Sequence, residues 1–223
     1  MSESAVCSRG PVARKASYLL HKVRYDSFQR LLLDGLKPAR VQVTPYRLYH
    51  EGLELASGNE QAATRLAEFS YRPLRPVDIP VLAALPGRQY SERSLAGRMK
   101  SGEIAVGAWR GEDLAAFTWC NLKVCATPLH PFSLEPDEAY LFDAYTVPRF
   151  RGGGLAPHIR RMMYTELASM GRTRLYSITE SLNKPAIRFK EKLNAELLDT
   201  GLVIEVWSRW RYVRRANGYR IGS

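Results

Sequence analysis

The sequence predicts an α+β protein: a mixed sheet carrying helices, preceded by a helical N-terminal extension. Three observations predict it. Ile104–Trp109 and Leu114–Trp119 are apolar runs on either side of Arg110-Gly111-Glu112-Asp113, the pattern of an antiparallel hairpin. Tyr140–Val147 is a further apolar run that reads as a buried strand, stopped by Pro148, which has no N–H to give a ladder. After Gly152-Gly153-Gly154 a helical period sets in at Leu155, Ile159, Met162, Met163, Glu166, Leu167 and Met170, and Arg174–Thr179 is strand-like again. A strand, a helix and a strand within this span make a right-handed crossover between parallel neighbours.

Taken in order, the chain divides into an extension, residues 1–70, and a main domain, residues 71–223. Val12 to Leu33 has Tyr18, Leu19, Val23, Phe28, Leu31 and Leu32 at helical spacing, with Gly35 and Pro38 to stop it. Its polar face carries Arg14, Lys15, Lys22, Arg24 and Arg30, so this basic amphipathic helix either docks on its own domain or lies on an anionic membrane. Val41-Gln42-Val43 alternates as a short strand before Pro45. Ser57 or Asn59 caps a short helix through Ala62, Leu66 and Phe69. From Tyr71 the pattern tightens. A strand end at Tyr71-Arg72-Pro73 is followed by Asp78 as the cap of a helix through Leu82 and Leu85, and a second helix runs from Ser91 to Lys100. Lys123 to Glu138, with three prolines, is a loop. Gly171 closes the long helix, Asn183 caps another with Ala186, Phe189 and Leu193, and Leu197–Trp207 and Trp210–Val213 finish as strands.

Composition narrows the function class. Hydrophobic residues make up 45% of the 223, enough for a sizeable core, and no apolar run reaches the roughly 18 residues a membrane span needs. Met1–Gly10 lacks the apolar centre of a signal peptide. Three cysteines, Cys7, Cys120 and Cys125, and four scattered histidines give no disulfide framework and no metal spacing, so a reduced, cytoplasmic protein without a structural metal is expected. The net charge of +11 is concentrated at the two ends, from Arg9 to Arg47 and from Arg209 to Arg220. Nothing like a helix-turn-helix or a stacking platform accompanies it, so no specific nucleic-acid partner is expected.

The glycine turn carries the chemistry. A strand that passes through glycines into a helix leaves several backbone N–H groups unpaired at one spot, where the helix dipole adds partial positive charge. Glycines let an anion approach closely, and Arg151 adds a full charge beside them. The natural guest is a phosphate or pyrophosphate. The spacing is neither G-x-x-x-x-G-K-[ST] nor G-x-G-x-x-G, which excludes a P-loop and a dinucleotide fingerprint.

What the spacing does match is R-x-x-G-x-A, Arg151-Gly152-Gly153-Gly154-Leu155-Ala156 with Val147-Pro148 ahead of it. This resembles the acyl-CoA motif of the GNAT superfamily of N-acetyltransferases. Asn183-Lys184-Pro185-Ala186-Ile187-Arg188-Phe189 resembles the family's N-x-x-A-x-x-[LF] element, and Tyr71-Arg72-Pro73 through Asp78 resembles its I-R-P…D opening. The resemblance covers about residues 71–213 and implies a GNAT-like fold, acetyl-CoA as co-substrate and direct attack of an amine on the thioester. It implies a CoA-binding set of Tyr145, Val147, Arg151, Gly152, Gly153, Gly154, Leu155, Ala156 and Asn183, with the Val147 N–H as oxyanion donor. Where the family often has the Tyr that protonates the departing thiolate, this chain has Lys190, which leaves the acid unassigned.

The incoming ammonium must lose a proton, because only the free amine is nucleophilic. Asp143, in an otherwise apolar strand, is the first candidate base, and Glu180, at the end of the neighbouring strand, the second. Either can instead bind a cationic substrate, and Asp143 can pair with an arginine. Tyr145 and Tyr176 read as core residues rather than acids, and His158 as a surface or packing residue. Three readings stay open: an N-acetyltransferase acting on the primary amine of a small molecule, a non-catalytic acyl-CoA-binding or membrane-associated module, and a transferase of longer acyl chains. A homodimer is open as well.

Overall fold

Ten strands and four α-helices make up the computed structural model, which describes residues 40–52, 66–88 and 90–216. The expected helix from Val12 to Leu33, and the cap at Ser57 or Asn59, lie outside the described residues. The strands are β1 (Val41–Glu51), β2 (Ser70–Pro73), β3 (Ile104–Arg110), β4 (Asp113–Asn121), β5 (Val124–Cys125), β6 (Phe132–Ser133), β7 (Glu138–Thr146), β8 (Arg174–Glu180), β9 (Glu196–Val206) and β10 (Trp210–Arg215). The helices are α1 (Ile79–Ala83), α2 (Glu92–Lys100), α3 (Leu155–Ser169) and α4 (Lys184–Glu191). None of the described helices is long and apolar enough to cross a membrane.

Eight of the strands form one mixed sheet in the order β10-β9-β1-β8-β7-β4-β3-β2, and β5 pairs with β6 inside the expected loop. Only β7 and β8 run parallel, joined by α3 as the strand-helix-strand pattern requires. The hairpin β3–β4 turns at Gly111, where φ is +60°. Ser91 caps α2 by accepting from the Ser94 N–H, and Gly171, at φ +75°, follows α3.

Two expectations are corrected. The strand foreseen at Val41-Gln42-Val43 does not stop at Pro45: β1 runs eleven residues and sits inside the sheet, between β8 and β9. Proline is tolerated because its missing N–H would face the side on which β8 has already ended; there the Pro45 carbonyl accepts from the Ser181 N–H. The boundary drawn between residues 70 and 71 falls inside β2, and β1 from the extension lies in the same sheet. Asp78 does not cap α1 with its side chain. Its carboxylate accepts instead from the Arg75 N–H at 2.8 Å and from the Arg72 guanidinium at 2.7 and 2.8 Å, and Arg72 holds it below the usual carboxylate range.

The core lies between α3 and the β3, β4 and β7 part of the sheet. Leu155, Ile159, Met163 and Leu167 are buried at four-residue steps along α3, against Phe117, Trp119 and Leu141. Met170, expected on that stripe, is exposed, whereas Arg160 and Tyr164 are buried.

One irregularity shapes the middle of the sheet. Between Phe117 and Trp119 the β4–β7 register slips, so that Asp143 and Ala144 lie opposite Thr118 alone. Asp143 takes a left-handed conformation there, φ +48°. This is a β-bulge, and a bulge bends its strand. β7 and β8 pair only over Glu138–Tyr140 and Arg174–Tyr176, and beyond Tyr140 the two strands part.

Candidate acyl-CoA site

A cavity of about 750 Å³ occupies the gap where β7 leaves β8. Its walls are the far half of β7, Ile178 and Thr179 of β8, the N-terminus of α3, and one face of α4. That volume suits a small-molecule ligand.

At one end stands the glycine turn. Gly152 has φ +90° and Gly154 has φ +82°, conformations that a side chain resists, and a Cβ added at Gly152, Gly153 or Gly154 would meet nothing within 4 Å. The N–H groups of Gly152, Gly153, Gly154, Leu155 and Ala156 find no backbone acceptor among the described residues; the first amide of α3 to bond back is that of His158, to the Gly154 carbonyl. No side chain caps the helix, and Pro157 has no N–H to satisfy. Open amides, left-handed glycines and a dipole therefore converge on open space beside the cavity. Arg151 is held at this mouth by donating its Nε–H to the Thr146 carbonyl at 2.9 Å, with its guanidinium 5.7 Å from the centre of the Tyr145 ring.

The strand beside the turn is equally specific. The Val147 N–H donates to the Ala115 carbonyl at 2.9 Å, and Val147 is buried. It is spent on the sheet and cannot serve as the oxyanion donor expected of it. Strand alternation turns the next group round: Tyr145 and Val147 bond toward β4, so Thr146 presents its N–H and carbonyl to the gap.

A model of the acetyltransferase (GNAT) family matches residues 77–195, more than half of the chain. The chain belongs to the GNAT acetyltransferase family. A search of the curated proteins returned no match. Among solved structures, a protein assigned to the GNAT family from Novosphingobium aromaticivorans superposes with a TM-score of 0.51 at 19% identity, over 73% of this chain and 64% of its own. A Drosophila protein superposes with a TM-score of 0.52 at 15% identity, over 80% of this chain and 56% of its own. At such identities the likeness shows the fold, and the chain spans less than two thirds of either protein.

Within this GNAT fold, most of the residues expected to hold CoA come together. Tyr145, Arg151, Gly152, Gly154, Leu155, Ala156 and Asn183 line the cavity, whereas Gly153 and Val147 do not. Asn183 caps α4 by accepting from the Ala186 N–H at 3.2 Å. The Tyr145 hydroxyl donates to the Pro86 carbonyl. Tyr176 is buried, and His158 packs its ring against Tyr71 at 4.8 Å, as a core and a packing residue would.

The two candidate bases fare differently. Asp143 lines the cavity, but its carboxylate is taken up by the Arg88 guanidinium, by Arg98 at 2.6 Å, and by the Tyr90 hydroxyl at 2.6 and 2.7 Å. Arginine pairing, one of the roles open to it, is what the fold gives it. Burial and the hydrogen bond to Asp143 push the Tyr90 hydroxyl far above its ordinary range. Glu180 is exposed at the end of β8 and is not part of the cavity wall.

Three residues at the cavity's other end carry charge that sequence reasoning did not foresee together. Lys190, which also lines the cavity, is buried with its ammonium on Glu51 of β1. The Glu51 carboxylate also accepts from the Tyr164 hydroxyl at 2.5 Å and lies 3.6 Å from Nε of Arg160, itself 2% exposed. Burial alone would raise the Glu51 carboxyl, but Lys190 and Arg160 overcome it and hold it down to about 2. Burial lowers the Lys190 ammonium to about 8 against the pull of Glu51. The place of Arg160 and Tyr164, one helical turn apart and each next to a residue of the apolar stripe of α3, was the signal in the sequence for Arg160. Nothing local signals Glu51, which meets Lys190 across 139 residues of chain.

Proposed function

We propose that this chain is an N-acyltransferase that moves an acetyl group from acetyl-CoA to the primary amine of a small-molecule acceptor by direct attack. The observation that carries the reading is the set of five unpaired amides at the N-terminus of α3, opening onto the gap between the two parallel strands. The turn fits a pyrophosphate. Gly152 and Gly154 are in left-handed conformations, and no protein atom lies within 4 Å of where the Cβ atoms of its three glycines would stand. Acetyl-CoA supplies the activated thioester carbonyl.

The chain's own residues divide the remaining tasks. Gly152 to Ala156 and Arg151 hold the diphosphate. The Thr146 N–H, which faces the gap, takes over the hydrogen bonding to the donor that Val147 cannot give. Asn183 and the face of α4 border the arm that leads inward. Asp143 is a positioning residue: it keeps the β7 bulge in place and orders Arg88, Tyr90 and Arg98 along the wall. Glu180 receives the ammonium proton, through water since it stands outside the cavity wall. β1 supports the cavity wall, because its Glu51 pairs with Lys190 and Arg160. Calorimetric titration with acetyl-CoA and CoA tests the reading, and absence of binding at submillimolar ligand refutes it.

A second reading has a specific observation behind it. With Asp143 fully engaged and Glu180 outside the cavity, the same fold can bind acyl-CoA without turning it over. Steady thiol release from acetyl-CoA across a panel of amines excludes that alternative.

A further inference from the structure

Glu51, Arg160 and Lys190 put two cations and one anion in a buried cluster. Glu51 answers Lys190 and Tyr164 directly. Arg160 is held more loosely: it reaches Glu51 only through Nε at 3.6 Å, and its buried Nε and Nη1 have no hydrogen-bond acceptor among the described residues. Such a buried guanidinium is costly, because a 3.6 Å ion pair with Glu51 does not replace the hydrogen bonds to water that Nε and Nη1 have given up. Both cations line the cavity, and both stand near the ring of Phe189, Arg160 at 5.5 Å and Lys190 at 5.3 Å from its centre. The ring keeps them against the wall.

We propose that Arg160 and Lys190 form a carboxylate-binding subsite at the inner end of the cavity, so that one of the two substrates carries a carboxylate. The cluster is one positive charge in excess, and a monoanion balances it. A carboxylate oxygen accepts the N–H that Nη1 leaves without a partner, in a charge-assisted hydrogen bond. A phosphate dianion would overcharge the cluster, and the diphosphate of CoA already has the glycine turn. The carboxylate sits either on the far end of a dicarboxylic acyl group of the donor or on an amino-acid-like acceptor. The inference rests on the acyl-CoA reading of the same cavity and adds its substrate class.

The test uses the full chain. Calorimetry compares CoA, butyryl-CoA and succinyl-CoA; a second arm compares glycine with glycinamide in the presence of CoA. The expected result is a preference of about tenfold or more for the carboxylated member in one arm, which also names the source. In Arg160→Gln that preference falls to about one while CoA affinity stays the same, and Arg160→Lys restores part of it. Arg160→Gln leaves the Lys190–Glu51 pair balanced, so the variant retains its fold. Equal binding of carboxylated and neutral ligands in both arms, with CoA bound normally, overturns the subsite and spares the acyl-CoA reading. A preference that survives Arg160→Gln overturns it too. Failure of CoA itself to bind overturns the acyl-CoA reading and this inference with it.

Discussion

At the α3 end of the cavity, the groups that face an anion are backbone amides from five consecutive residues, Gly152 to Ala156. At the Glu51 end the charged groups are side chains from three separate elements, β1, α3 and α4. The first end needs no buried charge. It uses dipoles that the helix makes in any case, left open because glycine and proline withhold capping groups. The second end puts ionised groups in a buried cluster of the cavity wall, and both of its cations depend on Glu51. The two ends should therefore fail differently: damage at the turn costs binding and spares the fold, whereas loss of the Glu51 anion costs the fold first.

The largest effect is expected at the cluster. Glu51→Gln leaves Lys190 and Arg160 buried without an anion, which costs about 3–5 kcal/mol of folding stability. Denaturant unfolding monitored by tryptophan fluorescence measures it. A loss below about 1 kcal/mol would mean that the two cations reach water.

The same residue sets an acid limit. The Glu51 carboxyl is lowered from 4.5 to about 2 in the folded chain, so its contribution is present above about pH 4.5 and drains away as pH falls toward about 2. The difference is on the order of 3 kcal/mol. Lys190 acts in the other direction. Its lowered value means that its charge burdens the fold at neutral pH, and that burden is relieved as pH rises from about 8 toward 10.5. Glu51→Gln should flatten the acid slope, and unchanged acid sensitivity in that variant would remove Glu51 as its source.

At the turn the expected loss is in binding. Gly154→Asp puts a carboxylate against the pyrophosphate; like charges 4 Å apart repel by about 4 kcal/mol at an effective dielectric constant of 20. A fall of at least about 100-fold in CoA affinity follows. Gly154 also has φ +82°, so strain alone could weaken the variant, and Gly111→Asp is the control. Gly111 has φ +60° and open space around it, but lies in the β3–β4 hairpin away from the cavity. If both variants lose CoA equally, strain and not charge is the cause.

The same contrast explains what the sequence could show. The turn was legible because its parts are contiguous: an apolar run, Pro148, three glycines and a helical period lie within one stretch, and spacing alone places their amides. The hairpin at Gly111 and the cap at Asn183 were legible for the same reason. The length of β1 was not, because whether Pro45 ends a strand depends on where β8 stops beside it. The Val147 N–H was misread because its partner, Ala115, belongs to another strand and depends on the register across the bulge. Asp143 showed its charge but not its company, since Arg88, Tyr90 and Arg98 arrive from 45 to 55 residues away.

Asp143 lets the comparison be sharpened within one wall. Asp143→Asn keeps the shape of the side chain and removes the anion between two partly exposed guanidiniums, which costs about 1–2 kcal/mol of stability. Acetyl transfer, measured as thiol release, should fall less than about tenfold, whereas removal of a true general base costs 100-fold or more. Glu180→Gln should show the opposite pattern, with stability unchanged and turnover reduced by about 100-fold. A reversal of the two results would restore Asp143 as the base.

The smallest effect is expected at Asn183, which belongs to neither end and stands between them. Its side chain satisfies the Ala186 N–H at the start of α4, so Asn183→Ala costs about 1 kcal/mol as a lost cap. Asn183→Ser keeps a capping oxygen with a shorter reach, and stability should return with it. CoA affinity separates the two roles given to this residue. If the amide only caps the helix, Ser restores binding along with stability. If the amide also borders the pantetheine arm, as its place in the cavity wall suggests, Ser restores stability and leaves CoA affinity several-fold weaker.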